Sequence, residues 1–124
     1  MRKLRAATRL LLTGGALATA AGCGHTTTVG VSRTVHIALT EYRVIPQSIQ
    51  SSPGRLLLLV ENDGRLAHTL AVSQHGKMVG QTPPLQPGTS TYLALNLAPG
   101  SYLMSSTLFA DQALGEYGTL TIRR

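Results

Sequence analysis

Between Arg33 and Arg124 the apolar residues recur at every second position, a period that strands satisfy and helices do not. Val35, Ile37 and Leu39 alternate with His36, Ala38 and Thr40, and Leu70 and Val72 alternate with Thr69 and Ala71. Leu93, Leu95 and Leu97 oppose Tyr92, Ala94 and Asn96. Tyr102, Met104 and Ser106 share one parity, and Leu120 and Ile122 share another. Arg55–Glu61 is a continuous aliphatic run bounded by Ser52-Pro53-Gly54 and Asn62-Asp63-Gly64, while Pro87-Gly88 and Pro99-Gly100 punctuate the later runs. Short runs separated by turn residues predict an all-β sandwich or barrel. No stretch sustains a 3.6-residue period with caps, and there is no internal repeat. The expectation is a Greek-key β-sandwich of seven or eight strands over residues 33–124, with one modest aliphatic core.

The first two dozen residues read differently. Arg2, Lys3, Arg5 and Arg9 make a basic head, Leu10–Leu12 and Ala16–Ala21 make a short apolar stretch, and small residues lead to Cys23. A basic head, an apolar segment of about a dozen residues and a small-residue cleavage zone describe a secretory signal peptide, shorter than a membrane span. Adjacent arginines are absent from the head. Residues 1–22 are therefore read as a signal peptide cut between Gly22 and Cys23. Cys23 is the only cysteine, so no intramolecular disulfide can form, and its place after Ala20-Ala21-Gly22 is similar to a lipobox, in which the thiol is acylated. The departure is Ala20, where leucine is common. Residues 23–32 are read as a lipidated cysteine and a small, polar tether; its nine residues after Cys23 reach about 30 Å when extended. The partner implied is a membrane, and the place the outer side of the cytoplasmic membrane or another face of the cell envelope.

Removing that segment also removes most of the excess charge. The whole chain carries +6, but the part after Cys23 has seven Lys and Arg against five Asp and Glu, a net +2. Those cations are scattered and aromatics are few, which excludes a nucleic-acid footprint.

From about Thr34 to Arg123 the order of elements resembles the small bacterial cupredoxin domain. Four stretches carry the resemblance: Glu41-Tyr42-Arg43-Val44-Ile45-Pro46, followed by Pro53-Gly54; Glu61-Asn62-Asp63-Gly64-Arg65-Leu66-Ala67-His68; Leu85-Gln86-Pro87-Gly88; and Leu97-Ala98-Pro99-Gly100-Ser101-Tyr102. The family takes a copper-ligating His after the second stretch, and Cys, His and Met beyond the fourth. The resemblance places His68 on the first ligand, Ser106 on the cysteine, Asp111 on the second histidine and Glu116 on the methionine. The frame C-x4-H-x4-M reads Ser106-x4-Asp111-x4-Glu116, with Gly115 and Gly118 where the family also has glycines. A serine hydroxyl does not ionise near neutral pH, so it cannot supply the thiolate of a blue-copper site.

The resulting expectation is an anchored, extracytoplasmic binding module without blue-copper electron transfer or cofactor, whose partner is a protein or a small ligand. The alternative is a metal-binding module in which His68, Asp111 and Glu116, with Ser106 nearby, hold copper, zinc or iron; oxygen-rich sets of this kind suit hard cations. Ser106, His68 and Asp111 are also the residue types of a hydrolase triad, but no nucleophile elbow or oxyanion signature accompanies them, so no catalytic residue is assigned. His36 is expected on a solvated strand face, His75 and Met78 on a surface hairpin, His25 on the tether and Met104 in the core.

Overall fold

A computed structural model describes residues 25–124. The signal peptide, its cleavage site at Gly22 and the acylation site Cys23 lie outside the described residues. Ten strands form: β1 (Thr26–Thr28), β2 (Thr34–Thr40), β3 (Arg43–Ile45), β4 (Ser48–Ser51), β5 (Gly54–Asn62), β6 (Ala71–Gln74), β7 (Lys77–Gln81), β8 (Ser90–Leu97), β9 (Gly100–Ser105) and β10 (Tyr117–Ile122). They build two sheets, one ordered β1-β4-β10-β9-β6-β7 and the other β3-β2-β5-β8. The domain is a cupredoxin-like β-sandwich in architecture.

The alternation does what the sequence predicts in β2 and β8. Val35, Ile37, Leu39, Leu95 and Leu97 turn inward, while His36 is exposed and pairs with Glu61 at 2.9 Å. In β5, Leu56, Leu58 and Val60 enter the core, and the intervening Leu57 and Leu59 are half-buried because β5 lies between β2 and β8. Met104 and Tyr102 from β9 and Leu120 and Ile122 from β10 complete the facing layer.

Three expectations are corrected. The described residues form ten strands rather than seven or eight, because β1, β3, β4 and β7 are runs of three to five residues, too short for a period to show. The segment Thr69–Val72 does not alternate: Thr69, Leu70, Ala71 and Val72 are all buried, since strands flank it on both sides and the loop after β9 covers it. The described part of the stretch read as a tether, residues 25–32, is not free. Thr26–Thr28 pair in parallel with β4, and the Val29 amide donates to the Gln50 carbonyl at 2.8 Å. β-branched threonines suit a strand, and without them β4 would present an unpaired edge.

The topology gathers several element ends at one end of the sandwich. β2 pairs with β5 in parallel, so Leu39 at the close of one stands beside Asn62 at the close of the other. β9 ends at Ser105 opposite Tyr117, the start of β10, and β4 starts beside β10. The turn after β2, the loop after β5 and the loop 106–116 therefore meet there.

Candidate metal centre

His68 is delivered by the loop after β5 and is wholly buried. Asn62 anchors that loop. Its side-chain amide donates to the carbonyls of Leu66 and Leu85, both at 2.8 Å, and its Oδ1 accepts from the Gly64 amide at 2.9 Å. His68 and Leu85 exchange two backbone hydrogen bonds, which fixes the imidazole at the base of the 106–116 loop.

Three carboxyl side chains converge on that ring. Nδ1 lies 2.9 Å from Asp111 Oδ2 and 2.8 Å from Glu116 Oε2, and Nε2 lies 3.0 Å from Glu41 Oε1. Ser106 Oγ donates to Asp111 Oδ2 at 2.8 Å and accepts from the Thr69 amide at 3.3 Å. His68, Asp111, Glu116 and Ser106, picked out of the sequence, thus stand together in one buried cluster. His36 and His75 stand outside it: His36 pairs with Glu61, and His75 sits in the β6–β7 turn at the far end.

The sequence reading missed Glu41. Its Oε1 accepts from the amides of Arg65 and Leu66, both at 2.7 Å, as well as from His68. Gly64 makes room for it: a Cβ there would stand 2.5 Å from that oxygen. No spacing rule joins Glu41 to His68, but its place at the head of the Glu41-Tyr42 stretch, with a glycine in the facing turn, was the available signal.

The environment sets the protons. The Leu66 amide, then His68 and the Arg65 amide, hold the Glu41 carboxyl down to about 2. Burial lifts Glu116 to about 8; the His68 charge opposes this and Asp111 reinforces it. Burial alone would lower His68, but its hydrogen bonds to Asp111 and then Glu41 lead the interactions that outweigh that, so His68 is raised. At neutral pH Glu116, lifted to about 8 by burial, holds its proton.

Glu116 is the unfinished member. It is completely buried, yet neither of its carboxyl oxygens makes a hydrogen bond, and its nearest cationic neighbour, His68 Nδ1 at 2.8 Å, is shared with Asp111. A buried carboxyl without a donor must hold a proton or meet a cation. One atom from each of His68, Asp111 and Glu116 lies within 4.8 Å of the others, so one ion could touch all three. Glu41 would then hold Nε2–H and leave Nδ1 as the ligand, the carboxylate–histidine–metal relation common around bound metals.

The donor set does not fit blue copper. Ser106, which the resemblance aligns with the family's cysteine, is a buried hydrogen-bond donor to Asp111, and among the described residues the cluster holds one imidazole. Nor is it a hydrolase triad. Ser106 Oγ and His68 Nδ1 both bind the same Asp111 oxygen, so the histidine is not aligned to take the serine proton.

No protein-family model and no curated protein matches the sequence. Solved structures do match. Dithionite-reduced auracyanin from the photosynthetic bacterium Roseiflexus castenholzii superposes with a TM-score of 0.68 at 19% identity, over 77% of this chain and 100% of that one. Auracyanin A from Chloroflexus aurantiacus, described as a blue copper protein, gives 0.65 at 13% identity over 77% and 99%. Rusticyanin from Thiobacillus ferrooxidans gives 0.64 at 15% identity over 79% and 82%. At these identities the likeness is one of fold: this chain carries a cupredoxin-like domain.

Proposed function

We propose that this cupredoxin-like chain is a lipid-anchored, extracytoplasmic binding module that performs neither catalysis nor blue-copper electron transfer. The observation that carries the reading is that Ser106, aligned by the resemblance with the copper-ligating cysteine, is buried and committed to Asp111 at 2.8 Å. With no thiolate and a single imidazole, copper there would lack the charge-transfer ligand and the second nitrogen that tune such a site. The absorption spectrum of the purified chain after addition of Cu(II) tests this. An intense thiolate-to-copper band would overturn it; a featureless or weak d–d spectrum is expected. Export and anchoring are supported by the basic head, the apolar segment and the position of Cys23. Intact mass after globomycin treatment tests them: a chain that matures without its diacylglyceryl adduct would refute the anchor.

A second reading, that the module's ligand is a hard cation, is favoured by Glu116. A buried carboxyl lacking any donor, beside His68 and Asp111, supplies the oxygen-rich ligand set a hard cation prefers. In that reading His68 Nδ1, Asp111 and Glu116 are the ligands, and binding displaces protons from His68 and Glu116. Calorimetric titration with Zn(II), Mn(II) and Fe(II), repeated on His68→Ala, decides it. Saturation at one equivalent that vanishes in the variant is expected, and binding indifferent to His68 would rule it out.

A further inference from the structure

We propose that the end of the sandwich holding the His68 cluster rests on the bilayer itself, with Phe109, Leu114 and Tyr117 entering the headgroup layer. The inference builds on the lipid-anchor reading above and adds the orientation of the domain. Its first support is chain direction. β1 runs parallel to β4 and β10, so its first residue, Thr26, stands level with Ser48 and Thr119 at the end where the 106–116 loop returns to the sheet. His25, one residue earlier, lines a surface depression with Arg43, Leu114 and Tyr117. Two residue steps from His25 to Cys23 span at most about 7 Å. Acyl chains on Cys23 therefore leave the protein beside this loop and not at the far end.

The second support is the surface of the loop. Its exposed residues are Thr107, Phe109, Ala110, Gln112, Ala113 and Leu114, none of which carries a charge, and its one ionisable side chain before Glu116, Asp111, is buried inward. Phe109 is 97% exposed on a backbone turned to φ 49°, and Leu114 and Tyr117 stand about half exposed. Tyr117 joins the two parts of the face, lining both the depression beside His25 and a shallower one floored by Leu103, Phe109 and Ala113. A contiguous uncharged patch crowned by a solvent-exposed phenylalanine is unusual on a free surface. Set within a few ångström of an acylated residue, it has the make-up of an interfacial contact: an apolar crown, tyrosine at the level of the headgroups, and Arg43 to pair with anionic lipid.

The full acylated protein carries the test. A bimane label is placed at Gln112→Cys in the loop, or at Lys77→Cys at the start of β7 beside the far-end turn, the Cys23 thiol being consumed by acylation. Both are reconstituted into phosphatidylcholine–phosphatidylglycerol vesicles containing dibrominated phosphatidylcholine. Position 112 is expected to be quenched about threefold more than position 77, and Phe109→Ser with Leu114→Ser to abolish the difference, as interfacial burial of a few ångström requires. Equal, weak quenching at both positions on a protein whose mass confirms acylation overturns the orientation and leaves the anchor standing. A crosslink from position 112 to a protein in native membranes, with weak quenching, likewise overturns it and gives the face to that partner. A mass without the lipid adduct removes the anchor and the orientation together.

Discussion

Raising the pH from 5 to 8 on metal-free protein isolates what Glu116 does. Its carboxyl is lifted from an ordinary 4.5 to about 8 by burial. For an acid raised in this way, the folded state holds a proton that the unfolded chain has released at every pH between the two values. Stability therefore falls as pH climbs through that window, by about 1.4 kcal/mol per unit while the difference is complete. Three units give a ceiling of about 4 kcal/mol, on the order of 15 °C in melting temperature for a domain of this size. His68 acts in the same sense. Its raised folded value makes its contribution complete below its ordinary 6.5 and lost as pH rises through the higher folded value. Glu41 works in a separate window: held down to about 2, it stabilises above 4.5 and loses that contribution only as pH falls toward 2. Thermal melts in chelator at pH 5 and pH 8, on the unaltered chain and on Glu116→Gln, read the effect. The unaltered chain should lose several kcal/mol across the interval, and the variant, neutral at every pH, should keep only the smaller slope due to His68. A flat profile, or a variant retaining the whole slope, would refute the protonated-Glu116 account. Zn(II) added at pH 8 should restore the lost stability, because the cation replaces the displaced protons.

Three further outcomes are expected. Asn62→Ala removes three hydrogen bonds, to Leu66, to Leu85 and from the Gly64 amide, that anchor the His68 loop, and should cost about 2–3 kcal/mol by denaturant melts. Gly118→Ala sets a Cβ 2.5 Å from the Gln47 carbonyl and 3.1 Å from Met104 Cε; since the closer atom is backbone, about 1–3 kcal/mol of destabilisation should appear, with residues far from the β4–β10 seam unshifted in NMR spectra. Ser106→Cys places a thiol beside His68 and Asp111, and with Cu(II) it should give a charge-transfer absorption that the unaltered chain lacks, measured optically at neutral pH.

The residues that made the sandwich legible were those with room to repeat. β2 and β8 run for seven and eight residues, long enough for a period of two to declare itself and to put Ile37, Leu39, Leu95 and Leu97 inside. β3 has three residues and β1 has three threonines, so neither offers a pattern; both exist because a neighbouring strand presents an edge. The Thr69–Val72 segment misled because one alternation was read where both faces are covered. The cluster was partly legible for a different reason. Ser106, Asp111 and Glu116 kept a spacing that resemblance could align, whereas Glu41 reaches His68 only through the fold and through the empty place at Gly64. Protonation was not legible at all, since it depends on the burial of Glu116 and on which carboxylate receives the His68 proton.

The three-residue first strand has a mechanical consequence. It touches the rest of the protein along one edge only, through pairing with β4, a Val29 amide bond and a 3.2 Å contact between Thr26 and Ser48 hydroxyls, and its side chains are exposed. Elements held so lightly open locally at a small fraction of the global free energy. Amide exchange at Thr27 and Val29 faster than at Leu120 would measure that opening. Each opening frees residues 26–32 and lengthens the leash to Cys23 by roughly 23 Å. On the anchor proposed at Cys23, β1 would act as a catch: latched, it holds the domain short; released, it lets the domain swing over an area of membrane some nanometres across.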